Sequence, residues 1–262
     1  MNIIEAHNIN YSILDNNIFS NLDLLIESGS FVSVIGENGS GKTSLLKILS
    51  GQIITEGNVK IDGIKVNKYN IEEISKRVAT INSYNEFFSK TVIEEILQDK
   101  RQVSIYDINK VRKLLDSFNL LYLEKMSVQN LSYAENQIIA LIKAITKNPK
   151  IIVLDNAFSK LDIDKREELI NYLTKYCKNN NITILSATND MSLLKYFDRV
   201  LLIKNSGISF DGNYKELINT IDLNKESLNY PWEVEVTNKL KLYDLIDVDL
   251  DDIDQIVGEL CK

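Results

Sequence analysis

The chain has 262 residues, 44% of them apolar, with a net charge of -7, which is apolar content enough for a full globular core. That charge, spread over such a length, argues against a general nucleic-acid binder, which needs a basic patch or stripe. No apolar run approaches the roughly 20 residues of a membrane-spanning helix; the longest, such as Val200-Leu201-Leu202-Ile203, are strand-sized.

The N-terminus, Met1-Asn2-Ile3-Ile4-Glu5, has no basic segment leading into an apolar one, so no signal peptide is expected. Phe31-Val32-Ser33-Val34-Ile35 is a short β-branched run ending at Gly36, as a buried strand does, and Ser44–Ser50 then reads as a helix closed by Gly51. Glu56 to Gly63 reads as a hairpin strand. From about Glu72 to Ala144 the pattern is mostly helical, with apolar spacings of three and four at Val111, Leu114, Leu115 and Phe118. Strand signals return at Ile151–Leu154, Ile182–Leu185 and Val200–Ile203, with a helix over Arg166–Lys178. A strand–helix core interrupted by a helical insertion predicts an α/β protein with a parallel sheet covered on both faces. Cys177 and Cys261 are too few for a disulfide framework and fit no metal-ligand spacing. The expectation is a soluble, intracellular chain that serves a membrane only through a partner.

The strongest motif is Gly36-Glu37-Asn38-Gly39-Ser40-Gly41-Lys42-Thr43, a complete G-x-x-x-x-G-K-[ST] between a strand and a helix. Its glycines let successive N–H groups turn toward phosphates, and the following helix aims its positive end at them. Lys42 would reach the β- and γ-phosphates and Thr43 would offer its hydroxyl to magnesium. Asp155, ending the apolar strand Ile151–Leu154, is placed to hold that magnesium.

Further motifs make the pattern specific. Leu131-Ser132-Tyr133-Ala134-Glu135-Asn136-Gln137 falls shortly before the Asp155 strand, Ser159-Lys160-Leu161-Asp162 follows it, and Tyr11 lies upstream of the phosphate loop. In this order the motifs resemble the ATP-binding cassettes of ABC transporters: an LSGGQ signature, a D-loop of the form S-x-L-D, and an aromatic that stacks on adenine. The resemblance covers residues 1 to about 215. It implies a P-loop NTPase (RecA-like) core with an antiparallel β subdomain and a helical insertion over about 84–145. It also implies ATP and Mg2+ as ligands, a second cassette subunit and an integral membrane component as partners, and a place at the cytoplasmic face of the membrane. Ser132 and Asp162 would then contact nucleotide, with the phosphate loop and Tyr11.

The departures are as informative. Where the family has a glutamate that polarises the attacking water, this chain has Asn156, and an amide cannot take up a proton; losing a positioned base costs on the order of 10²–10⁴ in rate. Where the family has a histidine at the γ-phosphate, the aligned residue is Asn189, and the chain's only histidine is His7. No glutamine falls near Ile81-Asn82-Ser83-Tyr84, where the family links its magnesium site to the insertion; Ser83 is taken as its replacement. Tyr133 and Ala134 replace signature glycines and are expected to crowd the approach of a partner's γ-phosphate. Binding retained with chemistry relaxed is the expectation, and the isolated chain should hydrolyse almost nothing.

Past residue 222 a helical extension is expected. A helix follows Pro231-Trp232 with apolar residues at Val234, Val236 and Leu240, and a last helix carries Ile253, Ile256, Val257 and Leu260. The tail is similar to the extension of energy-coupling-factor ATPases, which implies a role in pairing two cassettes, most simply as a heterodimer; a hairpin capping its own domain is the plain alternative. A calcium loop starting at Asp247 fails, because Asp252 stands where glycine is needed and Gly258 where glutamate is needed. Three readings follow: an importer's ATPase subunit, a non-hydrolytic nucleotide-binding partner of an active cassette, and a soluble cassette protein of repair or translation. The last lacks the second cassette or long insertion such proteins carry.

Overall fold

The fold is that of a computed structural model, which describes residues 1–100, 102–243, 245–246 and 253–260. Two long strands open the chain, β1 (Asn2–Ile13) and β2 (Asn16–Glu27). In β2 the buried residues Leu22, Leu24 and Ile26 alternate with exposed ones, the period of two that a one-sided sheet demands. Then come β3 (Phe31–Ile35), α1 (Lys42–Leu49), β4 (Glu56–Ile61) and β5 (Ile64–Lys65). The four strands other than β3 form an antiparallel sheet in the order β2-β1-β4-β5.

After α2 (Ile71–Ser75) the chain enters β6 (Val78–Asn82). This strand corrects the mostly helical reading of residues 72–144. It is short, and Asn82 and the polar loop behind it mask its pattern, whereas pairing with the next core strand makes it part of the sheet. Three helices follow: α3 (Val92–Leu97), α4 (Ile105–Ser117) and α5 (Tyr133–Thr146). Each opens on a reciprocal capping box, Thr91 with Glu94, Ser104 with Asp107 and Ser132 with Glu135. The core resumes with β7 (Ile151–Asp155), α6 (Ile163–Asn180), β8 (Thr183–Ala187), β9 (Arg199–Lys204) and β10 (Gly207–Gly212). The second sheet runs β10-β9-β3-β8-β7-β6, parallel except for β10. Every residue of β3 and β8 is buried, as expected of strands covered on both faces.

The chain ends in α7 (Tyr214–Thr220), α8 (Trp232–Leu242) and α9 (Ile253–Leu260). One apolar core joins α3, α4, α5 and α6 to one face of the parallel sheet; a second joins α1 and the antiparallel sheet to the other. A third packs Leu223 and Leu228 against Ile35, Met191 and Leu194, so the segment after α7 is built into the core beside the parallel sheet. Val234 of α8 and Ile256 of α9 are buried, while Val257 is half exposed. Asp247 to Asp252 and Cys261, weighed in the sequence, lie outside the described residues. No helix among the described residues is long and apolar enough to cross a membrane.

Candidate functional site

Register builds the site. Val34, Ala187, Asp155 and Asn82 stand in one row across four neighbouring strands, at their carboxyl ends. The segments leaving that row are therefore brought side by side: Gly36–Gly41 after β3, Thr188–Asn189 after β8, Asn156 after β7 and Ser83 after β6. Ligands of open α/β sheets bind along this edge.

The phosphate loop is shaped by backbone that side chains would obstruct. Gly36 has φ 148, and a Cβ there would lie 2.7 Å from the Ile203 carbonyl oxygen; at Gly41, φ 102, it would lie 2.6 Å from Ile18. Lys42 is buried and donates from Nζ to the carbonyl oxygens of Gly36 and Glu37 at 2.7 and 2.8 Å. Burial lowers its pKa, and the nearby Asp155 carboxylate offsets this only in part. Thr43 Oγ1 donates to Asp155 Oδ1 at 3.0 Å, so the two oxygens named for magnesium meet across the two strand ends. Ser40 Oγ is buried without a hydrogen-bond partner. A buried ammonium, an unused hydroxyl and a hydroxyl–carboxylate pair fit phosphate and a hard cation. Magnesium characteristically takes one or two carboxylates and completes its shell with phosphate and water. With the nucleotide bound, the cation's chemistry would be to neutralise phosphate charge, held by Thr43 and Asp155.

Asn156, Asn189 and Ser83 lie at the same edge. Asn156 takes a left-handed backbone, φ 49; its N–H donates to the Ala187 carbonyl at 3.0 Å and its amide lies 3.4 Å from Asp155 Oδ1. Asn189 donates from Nδ2 to Asn38 Oδ1 at 2.8 Å, bringing the loop after β8 onto the phosphate loop. Ser83 donates its backbone N–H to the Asp155 carbonyl at 3.0 Å. Tyr11 stands opposite Phe19 in the β1–β2 ladder, and the Phe19 ring reaches the space beside Gly41. Glu37 accepts from the Ser227 hydroxyl at 2.7 Å, and Glu226 reaches Lys204, so the extension's first turn touches the phosphate loop. A polar cavity of about 310 Å³ lies there, among Ile18, Glu37, Asn38, Ser40, Lys204 and Glu226.

Two named residues are engaged elsewhere. Asp162 caps α6, accepting from the Lys165 N–H at 2.8 Å, and Ser132 caps α5, its hydroxyl bound to Glu135. The signature also differs from expectation. Tyr133 is folded back, half buried, with its hydroxyl donating to the Ala157 carbonyl at 3.3 Å and Lys160 over its ring; Ala134 packs into the same core. Packing an aromatic ring inward gains more than leaving it in solvent, so Tyr133 does not stand in front of the helix. Gln137, quoted in the signature but given no role, is fully buried beneath it. Its signal was a polar residue in the stripe Ala134, Ile138, Leu141, Ile145.

A strand-fed phosphate loop, an aspartate at a neighbouring strand end and a helical layer inserted before that strand define a P-loop nucleotide-binding protein. The ABC transporter family model matches residues 19–159, more than half of the chain, and the chain belongs to that family. It is 29% identical over 250 residues to the energy-coupling factor transporter ATP-binding protein EcfA1 of Oenococcus oeni, covering 92% of this chain and 90% of that protein. EcfA1 of Ligilactobacillus salivarius is 29% identical over 248 residues, covering 92% and 87%. The fold is shared, at TM-score 0.76 and 22% identity over 92% of this chain and 95% of the other, with cbiO1 from Clostridium perfringens, part of the ABC transporter complex cbiONQ.

Proposed function

We propose that this chain is the ATP-binding subunit of an importer of the energy-coupling-factor class, working as one of two paired cassettes beneath a membrane component. The observation that carries the nucleotide reading is the meeting of Thr43 and Asp155 beside the buried Lys42. The class rests on the EcfA1 relatives, which match it over nearly their whole length. In this reading the cassette spans residues 1–222 and the extension 223–262 contributes to pairing, preferably with a different cassette. The membrane component would seat in the cleft of about 560 Å³ between α2, the Tyr84–Phe87 loop and α5, whose walls include Ile74, Ala140 and the exposed Tyr84. The chain would thereby be held peripherally at the cytoplasmic face.

Chemistry at its own site would be weak or absent. Asn156 cannot serve as the base, and Asn189 offers an amide already engaged with Asn38. A nucleotide-binding partner that leaves hydrolysis to the other subunit is thus the second reading, favoured by those two residues. Isothermal titration of the full chain with MgATP tests the shared premise. Saturable binding that Lys42→Ala abolishes is expected; no binding by the unaltered chain at millimolar ATP would contradict it.

A further inference from the structure

Gln137 is a fully buried amide on the core-facing side of α5, where an apolar residue would meet no desolvation cost. Its two polar ends are both used. Nε2 donates to the Ser83 carbonyl at 3.2 Å, and Oε1 accepts from Asn85 Nδ2 at 3.2 Å. Asn85 in turn closes on Asn82, accepting its N–H and donating to its carbonyl, both at 3.0 Å, and its own carbonyl accepts from Asn136 Nδ2 at 3.1 Å.

These bonds converge on Asp155. Asn82 is its neighbour in the ladder, and the Ser83 N–H donates to the Asp155 carbonyl at 3.0 Å. On the far side of the same corner the Tyr133 hydroxyl donates to the carbonyl of Ala157. The first two turns of α5 therefore grip both flanks of the strand end from which the Asp155 carboxylate projects toward Thr43. Hydrogen bonds that fix the backbone around a metal-holding oxygen tune its affinity without touching the ion.

We propose that Gln137, assisted by Tyr133, is a positioning residue for the magnesium corner: it ties the 83–85 loop to α5 and so holds the Asp155 carboxylate where a phosphate-bound cation needs it. This rests on reading Thr43 and Asp155 as the magnesium pair. Substitution at Gln137 then changes how much Mg2+ strengthens ATP binding, while the phosphate loop's own grip on ATP is untouched.

The test is calorimetric titration of the full chain with ATP, once with Mg2+ and once with EDTA, beside a thermal melt. In Gln137→Met, close in volume but unable to bond either partner, the tightening by Mg2+ should shrink about tenfold, with EDTA affinity unchanged. Tyr133→Phe removes one hydroxyl and keeps the ring's packing, so it provides a folded variant if Gln137→Met melts below the assay temperature. It should lower the same ratio less steeply. An unaltered Mg2+ ratio in the folded variants, or a parallel fall in EDTA affinity, would reduce Gln137 to a packing role and overturn the proposal. Absence of ATP binding by the unaltered chain in both conditions would overturn the nucleotide reading itself, and the proposal with it.

Discussion

Lys42 and Asn156 show how single residues at this edge are tuned. The Lys42 ammonium is desolvated, and in the free protein only carbonyl oxygens and a nearby carboxylate compensate it. Phosphates would favour its charged form, so its pKa should rise on binding. Affinity is then full below the lowered pKa of the free protein and falls as pH climbs above it. Titrations in buffers of different ionisation enthalpy across the alkaline range should show proton uptake on ATP binding, absent in a Lys42→Arg variant. Asn156 sits at φ 49, a conformation that asparagine tolerates and glutamate does not favour. Asn156→Glu should therefore cost about 1 kcal/mol of stability, read from denaturant midpoints, while Asn156→Gly should be close to neutral. In the proposed reading, a glutamate placed at 156 as a base would thus meet a backbone shaped for asparagine.

Among the elements, α3 and α5 are joined by a buried ion pair. Glu95 of α3 is fully buried, bonded to Lys143 of α5 and to the N–H groups of Phe88 and Ser89. Burial would raise its pKa, but the Lys143 and backbone hydrogen bonds outweigh that and the net shift is downward. A depressed carboxylate contributes stability that is present above its ordinary 4.5 and lost as pH falls through the folded value. Lys143→Met would leave a buried unpaired charge and should cost about 3 kcal/mol near neutral pH. The penalty should narrow as pH falls, because the unpaired Glu95 of the variant, raised by burial, takes up a proton before the Lys143-paired one does; urea melts near neutral and at acid pH check it. Helix α4 was legible from its apolar spacings of three and four at Val111, Leu114 and Leu115. The short strand β6 was not, because its pairing with β7 is non-local and leaves no period in five residues. Gln137's role was hidden for the same reason: its partners Ser83 and Asn85 are some fifty residues away.

At the scale of the molecule, the order of strands and helices was readable because α/β alternation and the phosphate loop are local signals. What was not readable was the seam between cassette and extension. Leu223 and Leu228 pack with Ile35, the last residue of the strand that feeds the phosphate loop, and Tyr230 bonds back to Ile221 and Leu223. A truncation after Asp222 should therefore destabilise the fold, by roughly 2 kcal/mol for each of the two leucines removed from that core. A truncation after Tyr230 should leave the melting temperature and ATP binding nearly unchanged while weakening pairing with a second cassette. Co-purification and melting curves for the two truncations separate a dock from a cap: full pairing by the chain ending at Tyr230 would make α8 and α9 a cap.

Whether this chain binds ATP without cleaving it is decided by the nucleotide it holds. The chain, alone and with the proposed second cassette mutated in that cassette's own phosphate loop, is loaded with MgATP and freed of unbound nucleotide. The bound nucleotide is released with acid and separated chromatographically. Intact ATP, absent from the Lys42→Ala control, is the result the proposed function predicts, because in that reading Asn156 and Asn189 stand where a base and a γ-phosphate ligand would be needed. ADP as the retained nucleotide, accumulating in time, would contradict it.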